Sequence, residues 1–362
     1  MAWWLLEPAH VSIQTKPLPD AGCPEDEAAI NPRISVIVPT YNDARNLRDC
    51  LAALRVAATS DTEIIVVDDA STDESAAVAE RARTRLLRLP KNSGPAAGRN
   101  RGAESARGEF LFFVDSDVAI APDAVRRVLA VFDGQPDLAA VFGSYDASPN
   151  APGVVSQYRN LLHHFVHQQG NPEASTFWAG CGAIRRSVFV QVGGFDEGHF
   201  RRPAVEDIEL GYRLRQAGHR ILLDKRLQGT HFKVWTLRSL LITDIRARAV
   251  PWSRLILERQ ISANDLNLKP SQRVSALLVL FSLGCLLLAP FRPVLLAPAV
   301  TALLAVVGLN RALYGFFLRR RGIWFSSSAI LLHLLYYVYS TVSYVSVWVA
   351  VHVERPRRSD RS

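Results

Sequence analysis

Between residues 33 and 145, short apolar runs alternate with segments of helical spacing, and this alternation constrains the fold more than any other feature. Residues 34–38, 63–67, 86–89 and 110–114 read as strands, and 46–55, 75–85 and 96–106 as helices between them. Gly94-Pro95 opens the third helix, and Pro122 opens another in the favoured first-turn position. The pattern predicts an α/β fold with a mostly parallel sheet flanked by helices. In such sheets ligands bind beyond the carboxyl ends of the strands.

The polar residues gather at those ends: Pro39-Thr40-Tyr41-Asn42, Asp68-Asp69-Ala70-Ser71-Thr72-Asp73 and Asp115-Ser116-Asp117. A carboxylate at Asp69 can accept the ring N–H of a pyrimidine, and Tyr41 can pack on base or sugar. Asp115 and Asp117, two residues apart where a buried strand runs out, can hold a hard divalent cation against a diphosphate. Each triplet alone is also an ordinary turn, and Asp73 reads as a helix cap. Arg99-Asn100, near the start of the third helix, brings a cation and an amide toward the same edge, useful against phosphate or ribose oxygens.

Apolar residues are unevenly spread, dividing the chain into a soluble portion and an intensely apolar one over residues 274–353. The expected organisation is an irregular segment at 1–32, a catalytic domain at 33–235 and a basic amphipathic interfacial segment at 236–273. Three membrane helices at 274–289, 294–309 and 324–351 follow, then a basic tail at 354–362. Pro290-Phe291-Arg292-Pro293 separates the first two as a tight hairpin. Lys269 and Arg273 place the catalytic domain on the cytoplasmic side of a multi-pass cell (inner) membrane protein. The net charge of +8 concentrates around these segments with no nucleic-acid recognition motif, so membrane lipids, and not nucleic acid, are the expected anionic partner. Four scattered cysteines, Cys23, Cys50, Cys181 and Cys285, suit a reducing compartment.

The text Val36-Ile37-Val38-Pro39-Thr40-Tyr41-Asn42, Val66-Val67-Asp68-Asp69-Ala70-Ser71-Thr72-Asp73, the 94–100 stretch, Asp115-Ser116-Asp117, Gly193-Gly194-Phe195-Asp196-Glu197 and Glu206-Asp207 resembles family 2 glycosyltransferases with the Rossmann-like GT-A fold. The resemblance runs from Ile34 to about Trp235. It implies a nucleotide-diphosphate sugar donor, UDP-sugar by default, a cation, Mg²⁺ or Mn²⁺, and inversion at the anomeric carbon. Carried over position by position, it implies donor contacts at Pro39, Tyr41, Asp68, Asp69, Arg99, Asp115 and Ser116. It implies metal ligation at Asp117 with help from Asp115, and a catalytic base at Asp207 with Glu206 the near alternative. Adjacent acids at a helix start also serve as dipole partners, and Glu209 reads as structural, facing solvent or Arg213.

His231, in Gly229-Thr230-His231-Phe232-Lys233-Val234-Trp235, stands where many relatives close over the diphosphate, and is a candidate metal ligand beside a phosphate partner, Lys233. The stretch departs from the Gln-x-x-Arg-Trp pattern of processive synthases. Trp178 and Gly180, in Phe177-Trp178-Ala179-Gly180-Cys181-Gly182-Ala183, form the expected acceptor wall with Trp235, and His163, His164 and His167 a polar face near its entrance. The acceptor is expected to be lipid-linked or another glycan at the membrane, in cell-envelope or polysaccharide synthesis. A polyprenyl-phosphate glycosyltransferase and a catalytically silent nucleotide-sugar-binding subunit stay open as alternatives.

Overall fold

The structure, a computed structural model, describes residues 32–259 and 269–359, the residues from 354 onward by backbone alone. Almost all of the expected segment 1–32 lies outside the described residues, with Cys23, as do residues 260–268 of the interfacial segment and the end of the basic tail.

Eight strands form one sheet in the order β3-β2-β1-β4-β7-β6-β8-β5. They are β1 Ile34–Thr40, β2 Thr62–Asp68, β3 Arg85–Arg88, β4 Phe110–Val114, β5 Val118–Ile120, β6 Leu138–Tyr145, β7 Cys181–Arg185 and β8 Arg220–His231. The first four pair in parallel, as the alternation predicts. β7 then inserts antiparallel between β4 and β6, and β5 lies antiparallel on β8, so the sheet is mixed. β1 and β4 are near-continuously apolar because both their faces are covered. On one face Val36, Val38 and Phe112 pack on Leu47, Leu51 and Leu54 of α1 (Ala44–Ala57). On the other, Ile37, Val67 and Phe113 meet Ala96 and Ala103 of α3 (Pro95–Ser105).

Helix α3 lies unusually close to the sheet: a Cβ on Gly102 would stand 2.4 Å from Ile37 Cγ2. That approach carries Arg99 down to the strand ends. α2 (Ser75–Arg81) ends short of the expected 85, where Arg83 takes a positive φ of 52°. Pro122 stands just outside α4 (Ala124–Gly134), in a turn closed by the Ala124 N–H on the Ala121 carbonyl, so it does not occupy the first helical turn.

α5 (Val154–Gln168), α6 (Arg186–Gln191) and α7 (Glu206–Gln216) complete the catalytic portion. The basic segment is not one amphipathic helix. α8 (Leu237–Thr243), capped by Thr236 and Ser239, runs through a π-helical stretch, Asp244–Ala249, into α9 (Val250–Arg259).

Three apolar helices follow: α10 (Pro270–Leu288), α11 (Leu296–Leu309) and α12 (Arg311–Ser359). Among the described residues, Pro270–Leu288 and Arg311–Val353 are long and apolar enough to cross a membrane, while Pro293–Leu309 is shorter. α12 is broken at Gly322 (φ 75°), and its two arms fold against each other. Tyr314 of one arm bonds His333 of the other at 3.0 Å, and Phe317 meets Phe325 edge-on at 5.7 Å. The first arm packs Leu313, Tyr314 and Phe317 on Tyr158, Leu161 and Leu162 of α5. The second is not a free-standing span along its whole length. Halfway along, the Tyr339 hydroxyl donates to Asp244 at 2.6 Å, and Asp244 also holds Arg248 at 2.9 Å and Arg159 of α5 at 3.4 Å. Burying that carboxylate requires such partners.

Candidate active site

The register of the sheet builds the centre of the site. β5 pairs Val118 with His231, the last residue of β8, which sets Asp117 beside His231. Asp117 Oδ2 stands 3.3 Å from His231 Nε2, and the Phe232 N–H donates to the Asp117 carbonyl at 2.9 Å. His231 is buried, its Nδ1 bonded to Asn160 Oδ1 at 2.7 Å and its ring stacked on Tyr145 at 4.3 Å and 11°. Burial alone would raise the Asp117 carboxyl, but His231 and Lys233 outweigh it and hold it below its ordinary range.

This donor set fits a hard cation. Neighbouring ligands of an octahedral ion with bonds of about 2.1 Å lie about 3 Å apart, close to the Oδ2–Nε2 separation. His231 Nδ1 is engaged by Asn160 Oδ1, so Nε2 is the ring nitrogen that faces Asp117, and a cation would sit between the two. Among the described residues no group of three or more His, Cys, Asp or Glu side chains is gathered to hold a metal. The remaining ligands would be diphosphate oxygens and water, the usual pattern for Mg²⁺.

Asp115 faces the other way. Its Oδ1 pairs with Arg99 Nη2 at 2.7 Å, and Arg99 Nη1 pairs with Glu206 Oε1 at 2.8 Å. Arg99 is therefore a buried bridge between the Asp115 strand end and α7, not a cation presented to phosphate; its charge is strengthened by Asp115 first and Glu206 second, against the cost of burial. Glu206 has its other oxygen on the Ala204 N–H at 3.0 Å, so both are engaged. Asp207 is half-buried, accepting from the Ala179 N–H at 3.2 Å and the Ile208 N–H at 2.8 Å. Burial, then the charge of Glu206, push it up to about 7, with Arg99 opposing. A carboxylate poised there suits proton abstraction near neutral pH. Glu209 is not solvent-facing: it is 1% exposed and held by Arg213 and Arg259, though its role is structural as expected.

At the donor end, Tyr41 is 49% exposed and presents its ring. Asp69 is buried, and its oxygens accept from the Ser93 and Gly94 N–H groups at 2.7 and 2.8 Å. Asp68 accepts from the Ser71 N–H at 3.1 Å through one oxygen. Asp73 caps both neighbouring helices, accepting from the Ala44 N–H at 3.0 Å and the Ser75 N–H at 2.9 Å. Pro39 packs beneath α3 at Gly98. Asn100 anchors the Phe195 backbone through both ends of its amide and does not reach toward a ribose. The Ser116 hydroxyl donates to Asp43 at 2.7 Å.

On the acceptor side, Trp178 is half-buried and crosses Tyr145 edge-on at 4.9 Å. A Cβ on Gly180 would stand 2.6 Å from the Trp178 ring, which accounts for glycine there. His163 lies against both Tyr145 and Trp178, at 4.2 and 4.7 Å, and burial holds it well below the ordinary histidine range. His163 thus packs as a neutral ring under the wall, 4.0 Å from the His167 ring. Trp235, expected as an open platform, is 5% exposed, covered by Lys233 at 4.6 Å and tied to Ser156. Asp43, Tyr145 and Asn160 were not singled out in the sequence. Their partners lie 71 to 73 residues away for Asn160 and Asp43, beyond any local pattern.

The family model for glycosyl transferase family 2 matches residues 35–193. The putative glycosyltransferase EpsH of Bacillus subtilis (strain 168) is 39% identical over 111 residues, 30% of this chain and 32% of the relative. Validoxylamine A glucosyltransferase of Streptomyces hygroscopicus subsp. jinggangensis (strain 5008) is 31% identical over 223 residues, 52% of each chain. The chain thus spans about half or less of these relatives' own length. The mannosyltransferase PcManGT from Pyrobaculum calidifontis, solved with GDP-Man and Mn²⁺, shares the fold at 19% identity, with a TM-score of 0.54 over 88% of both chains. The motifs at the strand ends and the mixed sheet that presents them agree with this match: over residues 35–193 the chain is similar to glycosyl transferase family 2.

Proposed function

We propose that this chain transfers a sugar from a nucleotide-diphosphate donor, by default a UDP-sugar, to a lipid-linked or glycan acceptor at a membrane, with inversion, in cell-envelope or polysaccharide synthesis. The observation that carries the reading is two differently tuned carboxylates whose charges both reach Tyr145: Asp117 held low beside His231, and Asp207 raised to about 7 with its oxygen on the Ala179 N–H next to Trp178.

Tyr41 packs on the base or ribose, and Asp68 or Asp69 accepts from its polar edge. Asp117 and His231 would hold Mg²⁺ or Mn²⁺, which when bound supplies positive charge to the leaving diphosphate. Lys233, exposed just past the end of β8, adds a cation for phosphate. Asp207 removes the acceptor hydroxyl proton as its oxygen attacks the anomeric carbon from the face opposite the diphosphate. Arg99 keeps Asp207 ionisable near neutrality and fixes Asp115 and Glu206 in place. Trp178 and Tyr145 wall the acceptor side and limit water, the competing nucleophile. The two long apolar helices support a membrane location for the acceptor.

The test is turnover of a panel of nucleotide sugars by the detergent-purified chain, with Mg²⁺ or Mn²⁺ and membrane lipid extract as acceptor. Transfer from at least one donor, abolished in Asp117→Ala, is the expected result. Equal activity in Asp117→Ala would sink the metal assignment, and binding without turnover of any donor would favour a silent nucleotide-sugar-binding subunit. Should a polyprenyl phosphate be the acceptor, Asp207→Asn would keep much of the activity, because a phosphate oxygen needs no strong base.

A further inference from the structure

Three adjacent arginines, Arg319, Arg320 and Arg321, stand where α12 turns back at Gly322, and all are exposed. Among the described residues no carboxylate pairs with any of them. Around them Leu318 is 47%, Ile323 61% and Trp324 87% exposed. Cations without a carboxylate partner beside exposed apolar side chains are poorly served by water alone. The headgroup zone of a bilayer satisfies both, since guanidinium groups meet phosphates while Trp and aliphatic side chains enter the acyl boundary.

The inner side of the same turn leads to the acceptor wall. The Arg320 guanidinium lies 5.9 Å over Phe316, whose ring stacks on His164 at 5.8 Å. His164 Nδ1 bonds the Tyr145 carbonyl at 2.8 Å, and the Tyr145 ring stacks on His231. A path through Phe316, His164 and Tyr145 therefore joins Arg320 at the exposed tip to His231, the residue beside Asp117.

We propose that the turn formed by residues 318–324 is a docking surface for the anionic headgroups of a phospholipid bilayer, seating the acceptor side of the site at the membrane surface. Charge complementarity selects the occupant: three cations with no internal counter-ion, beside side chains that prefer the interface. The proposal deepens the reading of the chain as a membrane-borne transferase and rests on it.

The full-length protein is placed in nanodiscs of phosphatidylcholine with brominated acyl chains, with and without phosphatidylglycerol. The difference in tryptophan emission between wild type and Trp324→Phe isolates the signal of Trp324. The expected result is quenching of Trp324 that deepens with the anionic lipid. R319Q/R320Q/R321Q should remove that increment, each arginine contributing about fivefold to affinity for an anionic surface. Trp324 emission that stays unquenched in both bilayers would overturn the proposal, as would quenching indifferent to both phosphatidylglycerol and the triple variant. Nucleotide-sugar binding in the same discs separates the two readings. Its absence in wild type would strike the transferase reading, whereas retained binding with unquenched Trp324 would strike the docking surface alone.

Discussion

Replacing Asp207 by Asn should abolish transfer while making the protein more stable at alkaline pH. The fold raises this carboxyl from 3.8 to about 7, chiefly by burial. Because the folded carboxyl binds its proton more tightly than the unfolded one, the folded state carries the extra proton between about pH 4 and pH 7. Stability therefore falls as pH rises through that window. A rise of that size corresponds to about 4 kcal/mol above pH 7, an upper bound because the side chain is only half-buried. Asn keeps the shape but turns an amide N–H₂ toward one of the two N–H donors, Ala179 or Ile208, which costs about 1 kcal/mol. The net expectation is a gain of about 1–3 kcal/mol at pH 8.5, shrinking toward zero or reversing near pH 4.5. Paired thermal-unfolding curves at the two pH values read this directly. In the same preparations transfer should fall by about 10²–10⁴-fold with donor KM little changed. A variant that is destabilised at pH 8.5, or a stability difference that ignores pH, would refute the reasoning about the buried carboxyl.

Other substitutions separate the site's parts. Glu206→Gln should leave Arg99 buried with half its counter-charge and cost about 3–5 kcal/mol in denaturant unfolding, a stability loss where Asp207→Asn gives a gain. His231→Ala should weaken Mn²⁺ binding about 10–100-fold in calorimetry with the nucleotide diphosphate present, whereas Trp235→Phe, at a buried ring that offers no metal ligand, should not. Gly180→Ala drives a Cβ into the Trp178 ring and should cost about 1–3 kcal/mol while raising acceptor KM more than donor KM. Wild-type kcat/KM should climb with pH through about 7 as Asp207 ionises, and Asp207→Asn should lack that limb.

The strand ends were legible because each ends a buried apolar run in residues that cannot continue it. Asp115-Ser116-Asp117 stands at such a break, and its position next to β4 is where the alternation puts it. The partners of those residues were not legible. Asp117 meets His231 through a pairing of β5 with β8, and a three-residue strand carries too short a pattern to announce itself. Arg99 read as a phosphate cation because nothing local reveals Glu206, 107 residues on. Trp235 read as a platform because aromatic type alone does not tell a buried ring from an open one. In the apolar region the expected helix 324–351 lies within α12, but the arm from Arg311 to Gly322 was not foreseen, and the contacts of Tyr314 with His333 and Phe317 with Phe325 reveal the fold-back.

The most direct test of the central claim, single-displacement transfer with Asp207 as base, is the anomeric configuration of the first product, followed by NMR from a donor of known configuration. The account predicts a product of inverted configuration, formed by wild type and lost in Asp207→Asn. A product that retains the donor's configuration would contradict it.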